Sequence, residues 1–256
     1  MRRTKVLITI PIYKEIPTEM ELISLRRCFD VLNKYPIALF VPKDLNISYY
    51  IDLFPKLKIE YFDPKYFKST NTYNQLMLSK TFYERFIDYE YILIYQPDAY
   101  VFKDELEYWC NKNYDYIGAP WVGEHLMKFF KTPQFTDELP KITKHKWFYK
   151  LLTGKSGLVG NGGFSLRKTD SIIKVLEKHA EKAKTWSLAE DNFFGMYIQA
   201  HEPDFKIPNV KTAAKFSIEN SPEIVYKMIG EQLPFGCHNW YGMFSYFWKK
   251  HIPFGK

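Results

Sequence analysis

Four groups of residues in this chain have the makings of a reaction centre, and they lie far apart in the sequence. The first is Asp98, which follows Tyr91-Ile92-Leu93-Ile94-Tyr95-Gln96-Pro97. Residues 91–95 form a short apolar run stopped by a proline, the pattern of a buried strand. Ligands of open α/β sheets collect outside the carboxyl ends of strands. A carboxylate there can hold a divalent cation, and the cation a diphosphate; an ordinary loop aspartate would instead cap the next turn. The second group is Gly160-Asn161-Gly162-Gly163, ahead of Phe164-Ser165-Leu166-Arg167. Glycines this dense mean that the backbone bends or that something presses against it. The third is the pair Glu190 and Asp191 at the start of a helical segment, where the helix dipole favours acids whatever their role. The fourth is His238, between Gly236 and Gly242 near the end of the chain. Lys80 stands within an apolar stripe of Tyr73, Leu76, Met77, Tyr83 and Ile87, so it either snorkels at the core edge or aims a cation at a phosphate.

These residues need a scaffold, and the hydrophobic pattern supplies one. Residues 6–12 predict a buried strand with a loop over 13–17 at its carboxyl end, bordered by Pro11 and Tyr13. Thr18 and Glu21 form a capping box for a helix that carries Leu22, Leu25, Phe29 and Leu32 on one face. Strands over 37–41 and 57–62 bracket a helix over 48–54. A helix over 71–88 precedes the strand that ends at Asp98. Further helices are predicted over 104–112, 169–184 and 187–198, with a strand over 116–121. Such alternation predicts an α/β fold whose sheet is mainly parallel, with right-handed crossovers. Residues 122–157 have no clean period and read as a lid or an insert. Residues 243–251 mix aromatics with lysines, which suits an interfacial membrane helix or, as we favour, a helix packed on the body of the protein.

A chain of 256 residues with 46% apolar content can bury a large core as one domain, or as a domain with an appendage. Its net charge of +7 favours anionic partners. The lysines are scattered rather than gathered into a stripe, which argues against nucleic acid. Cys28, Cys110 and Cys237 are distant from one another and odd in number, suiting reduced thiols and a cytoplasmic chain. Behind the basic start, the apolar stretch is too short for a signal peptide, and no stretch is long enough to span a bilayer. The sequence has no GxxxxGK[ST], no GxGxxG after the first strand, no HExxH and no GxSxG. This counts against P-loop phosphotransferases, dinucleotide dehydrogenases, zinc proteases and α/β-hydrolases.

Taken together and in this order, the four groups resemble the GT-A fold of nucleotide-sugar glycosyltransferases: one Rossmann-like domain with a mixed, mainly parallel central sheet flanked by helices. In that superfamily the fourth strand ends in a DxD motif, whose last Asp binds Mn²⁺ or Mg²⁺ on the donor diphosphate. Gln96-Pro97-Asp98 occupies the place, with Gln96 where the first acid stands. His238 looks like the C-terminal metal-ligand histidine of several such families. Residues 160–166 look like the glycine-rich segment lining donor and acceptor. Glu190-Asp191-Asn192-Phe193-Phe194-Gly195 is similar to the Glu-Asp-x-x-x-Gly motif of inverting β-1,3-galactosyltransferase-like enzymes, where the Asp191 position is the general base. The overall likeness, over about residues 5–240, is to a bacterial group of GT-A-like proteins marked by Q-x-D-x-x-V/L-F, D-Y-I-G-A-P-W and G-N-G-G-x-S-L-R runs. These stand here at residues 96–102, 115–121 and 160–167.

The resemblance implies an inverting, metal-dependent glycosyltransferase that takes a nucleotide sugar, most simply a UDP-sugar, and a glycan or lipid-linked glycan acceptor in bacterial surface polysaccharide synthesis. It implies Mn²⁺ or Mg²⁺ on Asp98 and His238, and Asp191 or Glu190 as the base. Donor contacts would come from Pro11, Tyr13, Lys80, Gln96, Asp98, Gly162, Gly163 and Arg167. Acceptor contacts would come from Trp121, Asn161 and Trp240. Residues 1–103 would then form the nucleotide-binding half and 104–242 the acceptor half, with residues 243–256 as a tail able to touch the inner face of a membrane. Two rivals stand beside this reading. One is a non-catalytic carbohydrate- or nucleotide-binding protein on a degenerate GT-A fold, which Gln96 keeps open. The other is a sugar nucleotidyltransferase, against which the glycine-free loop at 11–17 speaks.

Overall fold

The computed structural model describes residues 4–54, 56–122 and 159–254; the lid-or-insert segment falls largely outside them. Six strands and their neighbours set the frame. The apolar runs at β1 (Thr4–Pro11), β2 (Ile37–Pro42) and β4 (Tyr89–Tyr95) are almost wholly buried, because helices cover both faces of a parallel sheet. β3 (Lys58–Phe62) lies outermost. The sheet order is β3-β2-β1-β4-β7-β6, with β6 at Tyr116–Ile117 and β7 at Phe164–Lys168. β1 to β4 run parallel, and β7 runs antiparallel to both β4 and β6. The sheet is therefore mixed and mainly parallel. Because β7 is reversed, its glycine-rich start lies beside the carboxyl end of β4. Gln96 donates its backbone N–H to Gly163 O at 2.8 Å.

A second, three-stranded sheet is built from two-residue strands: β5 (Tyr100–Val101), β8 (Ser217–Ile218) and β9 (Gly236–Cys237), in the order β5-β9-β8. β9 pairs Cys237 with Tyr100 on one side and with Ile218 on the other. His238, one step past β9, is thus carried to the end of β4.

Helix α1 (Glu19–Val31) begins with the Thr18–Glu21 capping box. After α2 (Ser48–Leu53), the helix predicted over 71–88 is two pieces, α3 (Thr70–Met77) and α4 (Lys80–Glu84). Ser79 between them is extended, and the Tyr83 hydroxyl donates to the Met77 carbonyl freed by the break, at 2.8 Å. α5 (Leu106–Asn111) matches expectation. The helix predicted over 169–184 also divides, at His179, whose ring is drawn to Glu202 at 2.6 Å. The segment with Glu190 is one α-turn, Glu190–Asn192, continued by a π-turn over Phe193–Ile198. At the end of the chain the short helix Ser245–Trp248 is packed on the protein, with Trp248 buried and stacked on Phe102.

Gly118, just after β6, faces backbone rather than side chains: a Cβ there would lie 1.8 Å from Gly160 O. Backbone cannot step aside as a rotamer can. Gly118→Ala is therefore expected to destabilise the chain by about 2 kcal/mol or more, read as a lowered urea midpoint.

Candidate active site

The site forms where the two sheets meet. β4 delivers Gln96 and Asp98, the start of β7 delivers Asn161 to Gly163, and the ends of β8 and β9 deliver Glu219 and His238. His238 is its centre. Nε2 lies 3.0 Å from Asp98 Oδ1 and 3.0 Å from Gln96 Oε1. Nδ1 lies 3.2 Å from Glu219 Oε1 and 3.2 Å from Asn161 Nδ2. Burial disfavours charge on this ring, but the carboxylates of Asp98 and Glu219 outweigh it and hold the imidazole protonated well above its ordinary range. Asp98 responds in kind: burial pushes its carboxyl up, and His238 pulls it below the usual value.

Beside this cluster opens a cleft of about 450 Å³, walled by Pro11 at the end of β1 and Tyr13 just after it, by residues 67–70 and Tyr73 before and within α3, and by residues 96–98. Pro11, Tyr13, Gln96 and Asp98 are thus brought together. Lys80 is not among the wall residues; it lies on the surface, 3.1 Å from Glu177 and 3.3 Å from Glu84. The cations near the cleft are ones that the sequence did not single out. Exposed Lys68 lines it, and Lys14, paired with Glu21 at 2.8 Å, acts electrostatically on Asp98.

Arg167 is not a donor-facing cation either. It is fully buried, and its guanidinium is used up by Glu190 Oε1 at 2.5 Å, Tyr83 Oη at 2.7 Å, Ser165 Oγ at 3.0 Å and Gly162 O at 3.3 Å. Glu190 is therefore the buried ion-pair partner of Arg167. Burial, then the charges of Glu190 and Glu219, push the Asp191 carboxyl up to about 8, and its Oδ1 is shut away from water with no partner.

The expected aromatic platforms are absent from the surface. Trp121 is 2% exposed, and its ring occupies the space that a Cβ on Gly160 would need. Trp240 is fully buried, edge-on to Tyr100, Tyr241 and Phe254. Neither offers a face to a sugar. Asn161 is also buried, in a left-handed conformation with φ of 63° that asparagine tolerates, and it borders His238 rather than open space.

The metal expectation can be weighed on donor chemistry. A carboxylate oxygen, an amide oxygen and an imidazole nitrogen face one another, a set that suits Mn²⁺ or Mg²⁺. Among the described residues no three His, Cys, Asp or Glu side chains form a metal-binding group. Glu219 cannot be the third ligand because it faces the opposite ring nitrogen.

The family model described as "Protein of unknown function (DUF5672)" matches residues 56–238. The chain belongs to the DUF5672 family. No curated protein matches this DUF5672 chain in sequence. Solved structures do resemble it in fold. One is the galactosyltransferase LgtC in complex with donor and acceptor sugar analogs, at 12% identity and a TM-score of 0.52, over 91% of this chain and 86% of that one. Mouse xyloside xylosyltransferase 1, in its apo form, aligns at 12% identity and a TM-score of 0.51, over 98% of this chain and 99% of that one. The bifunctional glycosyltransferase WbbM aligns at 12% identity and 0.52, over 92% of this chain but 45% of its own. The DUF5672 chain thus has the GT-A fold.

The raised Asp191 carboxyl makes a stability prediction. The folded protein keeps a proton on this group to about pH 8, whereas an unfolded aspartate releases it near pH 4. Stability is therefore full below about pH 4 and is lost as pH rises toward 8. Asp191→Asn removes that loss. Its melting temperature should exceed wild type by roughly 4–8 °C at pH 8.5 (about 2 kcal/mol), with the gain vanishing near pH 4.

Proposed function

We propose that this protein is an inverting glycosyltransferase that moves a sugar from a nucleotide-diphosphate donor to a hydroxyl of a glycan acceptor. One observation carries the reading. Asp98, Gln96 and His238, drawn from positions up to 142 apart, meet at the carboxyl end of β4 beside a cleft of nucleotide size, on a fold shared with glycosyltransferases. The donor nucleotide lies in the cleft between Tyr13 and Tyr73, its diphosphate toward Asp98. Lys14 and Lys68 take the cationic role that Lys80 and Arg167 are not placed to fill. Asp98, His238 and Gln96 would hold Mn²⁺ or Mg²⁺, which when bound neutralises charge on the leaving diphosphate.

Asp191 is the base. As the acceptor oxygen bonds to the anomeric carbon, its proton passes to the Asp191 carboxylate and the bond from that carbon to the diphosphate oxygen breaks, releasing the nucleoside diphosphate. Attack from the face opposite the leaving group inverts the centre. Residues 1–103 serve the donor and 104–242 the acceptor. A UDP-sugar is the donor we favour, and bacterial surface polysaccharide or lipopolysaccharide the product.

Asp98→Ala should lose UDP binding in calorimetry with Mn²⁺. Asp191→Asn should keep it but lose turnover by about a hundredfold or more, and wild-type kcat should climb with pH through about 8 as the base ionises. NMR of the first-formed product should show the opposite anomer to the donor. A retained anomer removes the role given to Asp191; equal activity in all three proteins removes the site.

The tail supports a place at the cytoplasmic face of a membrane. No helix among the described residues is long and apolar enough to cross one, but Met243 and Tyr246 are 75% and 56% exposed, next to exposed Lys249 and Lys250. Such a surface suits anionic headgroups. Lys249→Glu with Lys250→Glu should abolish sedimentation with phosphatidylserine vesicles and leave binding to neutral vesicles unchanged.

A further inference from the structure

Among the groups around His238, one was given no part by the sequence. Glu219 follows β8, and the parallel register that pairs Ile218 with Cys237 sets Glu219 beside His238. Its side chain is 16% exposed. One oxygen faces His238 Nδ1 at 3.2 Å, and the other accepts from Asn220 Nδ2 at 2.7 Å. The carboxylate is thus anchored on its far side while it holds the ring on its near side.

An imidazole that ligates a cation does so through the lone pair of one nitrogen, while the other nitrogen keeps its proton and needs an acceptor. Here Nε2 is the nitrogen that shares its face with Asp98 Oδ1 and Gln96 Oε1. Nδ1 must then carry the proton. Two groups face Nδ1. Asn161 presents its Nδ2, a donor, at 3.2 Å, and a donor cannot take that proton. Glu219 can. On the other side of the ring, Gly163 leaves no room for a side chain, since a Cβ there would lie 2.1 Å from Nε2. The ring is therefore wedged between strand and carboxylate; a cation that takes Nε2 displaces the proton held there against Asp98 in the free protein, and Glu219 keeps the other proton on Nδ1.

We infer that Glu219 is a positioning residue that fixes the orientation and tautomer of His238, so that Nε2 is presented to the divalent cation of the donor diphosphate. This rests on the reading above, in which Asp98 and His238 hold that cation. Partners of this kind commonly change metal affinity by about ten- to a hundredfold. Glu219 itself touches neither cation nor sugar.

The test measures Mn²⁺ binding to the full chain by electron paramagnetic resonance in the presence of UDP, for wild type, Glu219→Gln and Glu219→Ala. The affinity should fall about tenfold in Glu219→Gln and further in Glu219→Ala. Metal-free binding of uridine, which has no phosphate, should match wild type in both. The glutamine variant keeps the shape of the side chain, so the test stands if the alanine variant fails to fold. Mn²⁺ affinity within twofold of wild type in Glu219→Gln overturns the inference, and so does a parallel loss of uridine binding, which would mark a merely structural role. If wild type binds UDP equally well with and without Mn²⁺, the role of Glu219 falls while donor binding stands. If wild type binds no UDP at all, both fall.

Discussion

Everything at the centre of this molecule depends on two neighbouring residues that lack side chains. Along the start of β7, Gly162 and Gly163 turn opposite faces outward, and each face is filled by a functional group. A Cβ on Gly162 would come within 2.1 Å of Glu190 Oε1, and one on Gly163 within 2.1 Å of His238 Nε2. Neither glycine has a positive φ, so the demand is for space and not for an unusual backbone. The strand is a thin partition, with a buried ion pair on one side and the His238 cluster on the other.

The two sides handle charge differently. Behind the partition, Arg167 and Glu190 neutralise one another, and every part of the guanidinium finds an acceptor. A buried pair of this kind adds little stability over an apolar equivalent, yet breaking it strands a charge at a cost of about 3–5 kcal/mol. Its effect here is to fix the backbone at Gly162. In front, one imidazolium stands between two carboxylates, those of Asp98 and Glu219. Burial does most to raise the Asp191 carboxyl, and the charges of Glu190 and then Glu219 add to it.

Much of the frame was legible in the sequence because its signals are local. The β1 and β4 runs, the Thr18–Glu21 box and the Asp98 position all follow from residues adjacent in the chain. What could not be read depended on distant partners. Lys80 is defined by Glu177, 97 positions away. The helix breaks at Ser79 and His179 are settled by hydrogen bonds from Tyr83 and to Glu202. Trp121 and Trp240 have the composition of sugar platforms, but small neighbours and other rings draw them inward. Arg167 looked like a phosphate ligand until Tyr83 and Glu190 were seen to enclose it. Glu219 was missed for a different reason. The strand just before it is two residues long, too short for any periodicity, and only the register with β9 sets it beside His238.

The small sheet of β5, β9 and β8 also carries a consequence for how the protein is made. The contact from Gln96 to His238 spans 142 positions, so at a synthesis rate of about 5–20 residues per second the ribosome releases the two halves of the site roughly 7–28 s apart. During that interval β1 to β4 can already be paired while Asp98 waits without its imidazole. A growing chain therefore acquires its shape before its site, and the cluster around Asp98 stays half-built until His238 has emerged.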